Sequence, residues 1–316
     1  MTARSAQQLC WSLQVQPSLR VLIKVITLPR RGPGQLPSPI VNIFAQIINM
    51  IDSLERVDSP VNYLQRDTWE QWSSSDQILP IAPGRHRNLS HLGVAGNYYR
   101  DGTLVGQITS FQTLRVLELS AIRLQSPVDP HTTPILPVLE KIILSFCDNL
   151  AQLDEWLVAC PRLRAIELIC VQMLTPNPKI LTCGKITRVG LLDCWSWSEE
   201  SRRWFVDYKR FQSLSISLDV FQKYLHDFPR SVGTMQIRFK DWEHLPREHL
   251  QRYMDTKPSL DNIILQYDEA NVRMMYIKDD LAAICDRCGV TVSFEISSFV
   301  ERLGEFPHER LAHAHI

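Results

Sequence analysis

The chain has 316 residues, 45% of them apolar, with 34 Lys and Arg balanced by 34 Asp and Glu. That apolar share supplies a core and excludes wholesale disorder. Zero net charge excludes a surface built on a global excess of positive charge, so no nucleic-acid partner is expected.

From the N-terminus, the apolar run Leu19–Leu28 is cut by Arg20 and Lys24, unlike the core of a secretory leader. No stretch approaches the roughly 18 uncharged apolar residues of a membrane span. The 8 Cys lack the spacing of a small disulfide scaffold. A reduced protein of the cytoplasm or nucleus is expected. "PSLRVLIKV" and "SLERV" read as worn copies of a repeat start, with Lys24 and Ser59 where an apolar residue belongs. "PRRGPGQLPSP", Pro29–Pro39, reads as a loop. "IVNIFAQIINMI" reads as a helix, with Ile40, Ile43, Ile47 and Ile51 on one stripe.

The next 200 residues repeat. Apolar residues at the first, fourth and sixth positions of a short segment recur as Leu89/Leu92/Val94, Leu114/Leu117/Leu119, Leu139/Ile142/Leu144, Leu163/Ile166/Leu168 and Ile186/Val189/Leu191. Weaker copies follow at Phe211/Leu214/Ile216, Val232/Met235/Ile237 and Leu260/Ile263/Leu265. By subtraction, successive starts lie 21 to 28 residues apart. Each copy predicts a short strand with its fourth and sixth residues on one side. Helical stripes lie between copies: Leu150, Leu153, Leu157 and Val158; Trp204 and Phe205 after a Ser198 cap; Leu250 and Met254 after Pro246. A single strand–turn–helix unit cannot bury its apolar face, so the units are expected to stack with their strands in a parallel sheet. The last strand is expected in "GVTVSFEI", where Val290, Val292, Phe294 and Ile296 alternate with polar residues.

In this pattern the chain resembles leucine-rich repeat proteins, in places the cysteine-containing subtype. Cys147, Cys194 and Asn97 stand where the family places Cys or Asn, and Cys160-Pro161 matches its Cys-Pro. Ile122, Val171, Asp219, Lys240 and Asp268 depart from the pattern at the same slot. The resemblance implies an α/β solenoid, a curved right-handed coil with a parallel sheet on the concave face and helices on the convex face. It also implies that Cys147, Cys194 and Asn97 serve the coil's internal hydrogen bonding. Repeats of this subtype often follow an F-box, a module that docks onto a ubiquitin-ligase adaptor. "LPSPIVNIF", Leu36–Phe44, resembles an F-box opening but is one residue short and lacks the acidic residue after the proline. The expected organisation is a capping region over 1–88 with degenerate repeats, a repeat array over 89–296 and a flexible tail over 297–316.

Strand alternation turns the third, fifth and seventh residues outward. Ile143, Ile169 and Leu192 are apolar at such positions, and Glu118, Lys141, Glu167 and Arg188 frame them. An apolar centre with a charged rim is the anatomy of a protein-binding patch. The alternative is that another part of the chain covers these strands. Trp195 and Trp197, in the loop after one strand, are further candidate contacts. Cys285 and Cys288 form a lone "CDRC" without a second ligand pair, and no nucleophile or phosphate-loop signature is present. The expectation is a non-enzymatic protein-binding scaffold with no cofactor and no metal, in its narrower form a substrate selector related to ubiquitin-ligase F-box proteins. The alternatives are a metal or redox protein using Cys285 and Cys288, and a decayed relative without independent function.

Overall fold

The computed structural model describes residues 3–27, 38–59, 86–95, 103–120, 127–145, 150–169, 179–192, 210–224, 228–229, 231–239, 245–256, 259–267 and 272–296. They fall into two compact units: Met1–Ile186 with Cys194–Ser201, and Thr187–Asp193 with Arg202–Ile316.

The first unit carries six parallel strands in chain order. These are β1 (Val25–Thr27), β2 (Arg56–Ser59), β3 (His91–Ala95), β4 (Val116–Ser120), β5 (Lys141–Ser145) and β6 (Ala165–Ile169). Its helices are α1 (Ala3–Val15), a 3-10 helix (Pro17–Leu22), α2 (Ser38–Met50), α3 (Thr103–Ile108), α4 (Leu150–Ala159) and α5 (Lys179–Thr182). The second unit carries parallel strands β7 (Arg188–Leu192), β8 (Ser213–Ser217), β9 (Thr234–Arg238), β10 (Asn262–Tyr267) and β11 (Thr291–Ile296). Between them lie α6 (Leu218–Tyr224), α7 (Arg247–Thr256) and α8 (Val272–Arg287).

One backbone device recurs at the entry to the strands. The carbonyl of the second residue of each segment accepts two N–H groups from the next coil. Lys24 O takes Glu55 and Arg56; Glu55 O takes Ser90 and His91; Ser90 O takes Arg115 and Val116. Arg115 O takes Glu140 and Lys141, and Glu140 O takes Arg164 and Ala165. The second unit repeats it from Thr187 to Gln212 and Ser213, from Gln212 to Gly233 and Thr234, and from Gly233 to Asp261 and Asn262. The strands then continue in strict register, with Leu92, Leu117, Ile142 and Ile166 opposite one another in turn.

This register sends the first, fourth and sixth residues inward. In all eight expected repeats these positions are at most 5% exposed. Coils of 21 to 28 residues thus converge on one core geometry because the strand segment, not the loop, sets it.

The first coil departs from expectation. Lys24 is the shared-carbonyl residue of its segment, so its inward fourth position is Ile26, paired with Val57. Leu19 and Leu22 belong instead to the 3-10 helix, which Pro17 opens with its preset φ. The worn-repeat reading of "PSLRVLIKV" was four residues out of register. The "SLERV" reading holds, with Leu54 and Val57 buried. Helix α1 has no counterpart in the sequence reading; its Ala6, Cys10 and Leu13 are buried and it packs on α2. Helix α2 begins at Ser38, inside the stretch read as loop, because Pro39 suits a first helical turn. Along α4 the buried stripe is Leu153, Trp156, Leu157 and then Cys160, while Val158 is half-buried. The Trp156 Nε1–H donates to the Pro134 carbonyl at 3.1 Å, which satisfies the indole of a fully buried ring. The expected helix around Trp204 and Phe205 and the residues Asn97, Cys147 and Cys194 lie outside the described residues.

Two closures hold the ends of coils. Asp154 accepts the backbone N–H groups of Lys179 at 2.5 Å and Ile180 at 2.6 Å, capping α5 from the preceding coil. Burial pushes its carboxyl up, and those two N–H groups and Lys179 pull it back. At the end of α8, Gly289 takes φ +69°. Its N–H bonds to Asp286 O, and Val290 N–H bonds to Cys285 O, both at 3.0 Å. This is a Schellman closure, which needs a left-handed residue that glycine supplies without a Cβ clash. In the second unit Phe221, Phe228 and Tyr253 form an aromatic cluster, with Phe221 edge-on to Tyr253 at 5.3 Å.

Replacing Leu144, fully buried on β5, by Ala is expected to cost about 2–5 kcal/mol. The same change at outward, half-buried Ser120 should stay within about 0.5 kcal/mol. Urea unfolding followed by tryptophan fluorescence checks both.

Candidate functional site

The outward face of the strands is where the chain can meet something else. Side chains there are aligned by the parallel register, and charged ones pair diagonally, as expected for i, j±2 neighbours. In the first unit Lys141 Nζ on β5 meets Glu167 Oε2 on β6 at 2.6 Å. The Glu167 side chain is 11% exposed and Lys141 36%, so the pair is shielded on one side only. On β2 and β3, Asp58 Oδ2 receives Arg56 Nε at 2.8 Å and the Thr27 hydroxyl at 3.3 Å, while Asp58 Oδ1 lies 3.5 Å from His91 Nε2.

The residues of the expected apolar centre have little exposed surface. Ile143 and Ile169 in the first unit are 8% and 7% exposed, and Leu192 in the second unit is 1% exposed. Ser145, Ala165 and Glu167 at neighbouring outward positions of the first unit are buried as well. These three apolar side chains point outward from the strand but are covered rather than open to solvent. Alternation along a strand dictates the direction of a side chain; it carries no information about what lies above it. Glu118 and Lys141 remain half-buried, and Arg188 is exposed. Trp195 and Trp197 lie outside the described residues.

Cys285 and Cys288 sit in the closing turn of α8. Cys285 is fully buried, and its thiol is pushed up to about 11, first by burial and then by the neighbouring Cys288. A thiol held up in this way is neutral near pH 7, the opposite of a reactive thiolate. Cys288 is exposed and accepts a weak hydrogen bond from Gln251 Nε2 at 3.5 Å. Both thiols thus lie at the helix terminus, one sealed in the core and one at the surface. Cys160 is likewise buried, donating to the Trp156 carbonyl at 3.5 Å at the end of α4. No helix among the described residues is long and apolar enough to cross a membrane.

No protein-family pattern matches the chain, and no curated protein does. Solved structures do. The crystal structure of the leucine-rich repeat-containing protein LegL7 from Legionella pneumophila matches at TM-score 0.53 and 13% identity, over 85% of this chain and 90% of that one. A complex of TLR13 with ssRNA13 matches at TM-score 0.41 and 13% identity, over 86% of this chain and 37% of that one. The LegL7 match, together with the parallel strands and their three inward positions, shows an α/β leucine-rich repeat solenoid fold.

The two thiols should separate cleanly in the folded protein. Iodoacetamide at pH 8 should modify Cys288 within minutes and Cys285 only after denaturant is added, as read by peptide mass spectrometry. Equal rates would mean that the α8 terminus is open.

Proposed function

We propose that the chain is a non-enzymatic scaffold that presents the outward face of its parallel strands to a protein partner. The carrying observation is the register itself. It lines up side chains on neighbouring strands at a spacing of about 4.8 Å, each replaceable without touching the inward core. In the first unit Val116, Glu118, Ser120 and Lys141 stay partly accessible on this face; in the second Arg188, Ser213, Gln236 and Arg238 do. The backbone of paired strands loses little freedom when a partner docks, which favours binding.

Glu118, Lys141 and Arg188 are the contact residues in this reading. Glu167 orients Lys141, and Ile143, Ile169 and Leu192 stiffen the strands from which the contacts project. Trp195 and Trp197 are further contacts in this reading. Among the described groups with displaced acidity, burial raises Asp154, Cys160, Tyr253 and Cys285, which close helices or fill the core, and the Glu155 carboxylate raises exposed Lys179; this pattern supports a role other than catalysis. A narrower form of the proposal, selection of substrates for ubiquitination in the cytoplasm or nucleus, rests on the resemblance to F-box/leucine-rich repeat proteins alone.

The test compares faces. The 316-residue chain, outward variants Val116→Arg and Gln236→Glu, and helix-side variants Glu155→Lys and Arg252→Glu are used to capture proteins from a cell extract. A protein held by the wild type and the helix-side variants, and reduced at least tenfold by an outward variant, supports the scaffold. Captured proteins that depend on the helix side, or on neither side, overturn it.

A further inference from the structure

In the sequence, Cys285 and Cys288 lack a second ligand pair, so no metal is expected there. The outward face of the first unit brings together three others. We propose that Asp58, His91 and Glu118 form a binding site for a divalent transition cation of the zinc class.

The three come from adjacent strands β2, β3 and β4, and one ligand atom from each lies within 4.8 Å of the other two. The register explains why. Asp58 stands opposite Gly93, and Gly93 stands opposite Glu118. His91, two residues before Gly93, reaches diagonally toward both carboxylates. Gly93 therefore lies between the two acids with no side chain of its own. A Cβ there would sit 3.4 Å from Asp58 Oδ1. A glycine in mid-strand weakens the strand and marks places where something must approach the backbone closely.

Asp58 is oriented as a metal ligand is. Arg56 and Thr27 hold its Oδ2. Its Oδ1 is shut off from water, accepts no hydrogen bond, and faces His91 Nε2 at 3.5 Å. That distance is beyond a good hydrogen bond. It matches the separation of about 3.4 Å between two ligands that hold zinc at 2.0–2.1 Å with tetrahedral angles. Holding one carboxylate oxygen so that the other is aimed is the usual second tier of support around a bound metal. Arg56 removes part of the negative charge, yet two carboxylates and a neutral imidazole still make a nitrogen–oxygen donor set. The Asp58 and His91 side chains are 20% and 17% exposed, so the sealed donor atoms lie just beneath the outward face. The proposal stands whether or not that face binds a protein.

The test uses the full chain after chelator treatment, titrated with Zn2+ by calorimetry and with Co2+ by visible absorption. One equivalent should bind, and the Co2+ complex should lack the thiolate charge-transfer band that Cys288 or another cysteine would give. His91→Gln and Glu118→Gln should each weaken binding tenfold or more. Gly93→Ala keeps all three donors but fills the gap, and should weaken binding by about ten- to a hundredfold. Melting of the stripped variants shows that each is folded. A variant that fails to melt cooperatively is replaced in the comparison by the Zn2+-induced rise in melting temperature of the wild type against Gly93→Ala. Absence of a tight equivalent, a thiolate-type Co2+ spectrum, or binding unchanged in His91→Gln and Glu118→Gln overturns the site.

Discussion

The structure depends on one backbone interaction, the carbonyl that accepts two N–H groups from the next coil. From Lys24 to Glu140 and again from Thr187 to Gly233 it stands at the same place in the segment. A parallel ladder has no hairpin to align its strands, so something else must choose the register. A shift of one residue would turn every inward side chain outward. The shared carbonyl and the buried first residue before it choose together. Once they are set, the fourth and sixth residues enter the core and the third, fifth and seventh face away. Core and outward surface are two consequences of one alignment.

This explains how much could be read from the sequence. The eight repeats were legible because each obeys the same local spacing and buries all three apolar positions. The first coil misled because "LRVLIKV" offers apolar residues at several offsets. Only the pairing of Ile26 with Val57 selects one of them. Helix α1 was missed although Ala6, Cys10 and Leu13 follow a helical spacing. Small and weakly apolar residues give a faint stripe. The sequence leaves open whether Ile143, Ile169 and Leu192 are covered, because pattern gives direction and tertiary structure gives cover.

The Asp58, His91 and Glu118 cluster sits between these cases. Nothing local marks it, since the residues come from three different coils. Yet stacking the segments on their fourth positions places Asp58, Gly93 and Glu118 in one column. A charged–glycine–charged column is a visible signal once "SLERV" is extended by one residue to Asp58. The same stacking puts Lys141 diagonal to Glu167. In a solenoid, side-chain chemistry is best sought down columns of aligned repeats rather than along the chain.

The shared carbonyl also divides the chain by how it can change over time. Residues added between coils only lengthen a connection, and doubling a loop costs about 0.6 kcal/mol of closure entropy. Starts spaced from 21 to 28 residues record such tolerance. A single residue gained or lost between the first and sixth positions would instead invert that strand's two faces and break the columns on both sides. Insertions should therefore accumulate in the connections of related chains, and the six-residue segment should keep its length even where its residues drift beyond recognition.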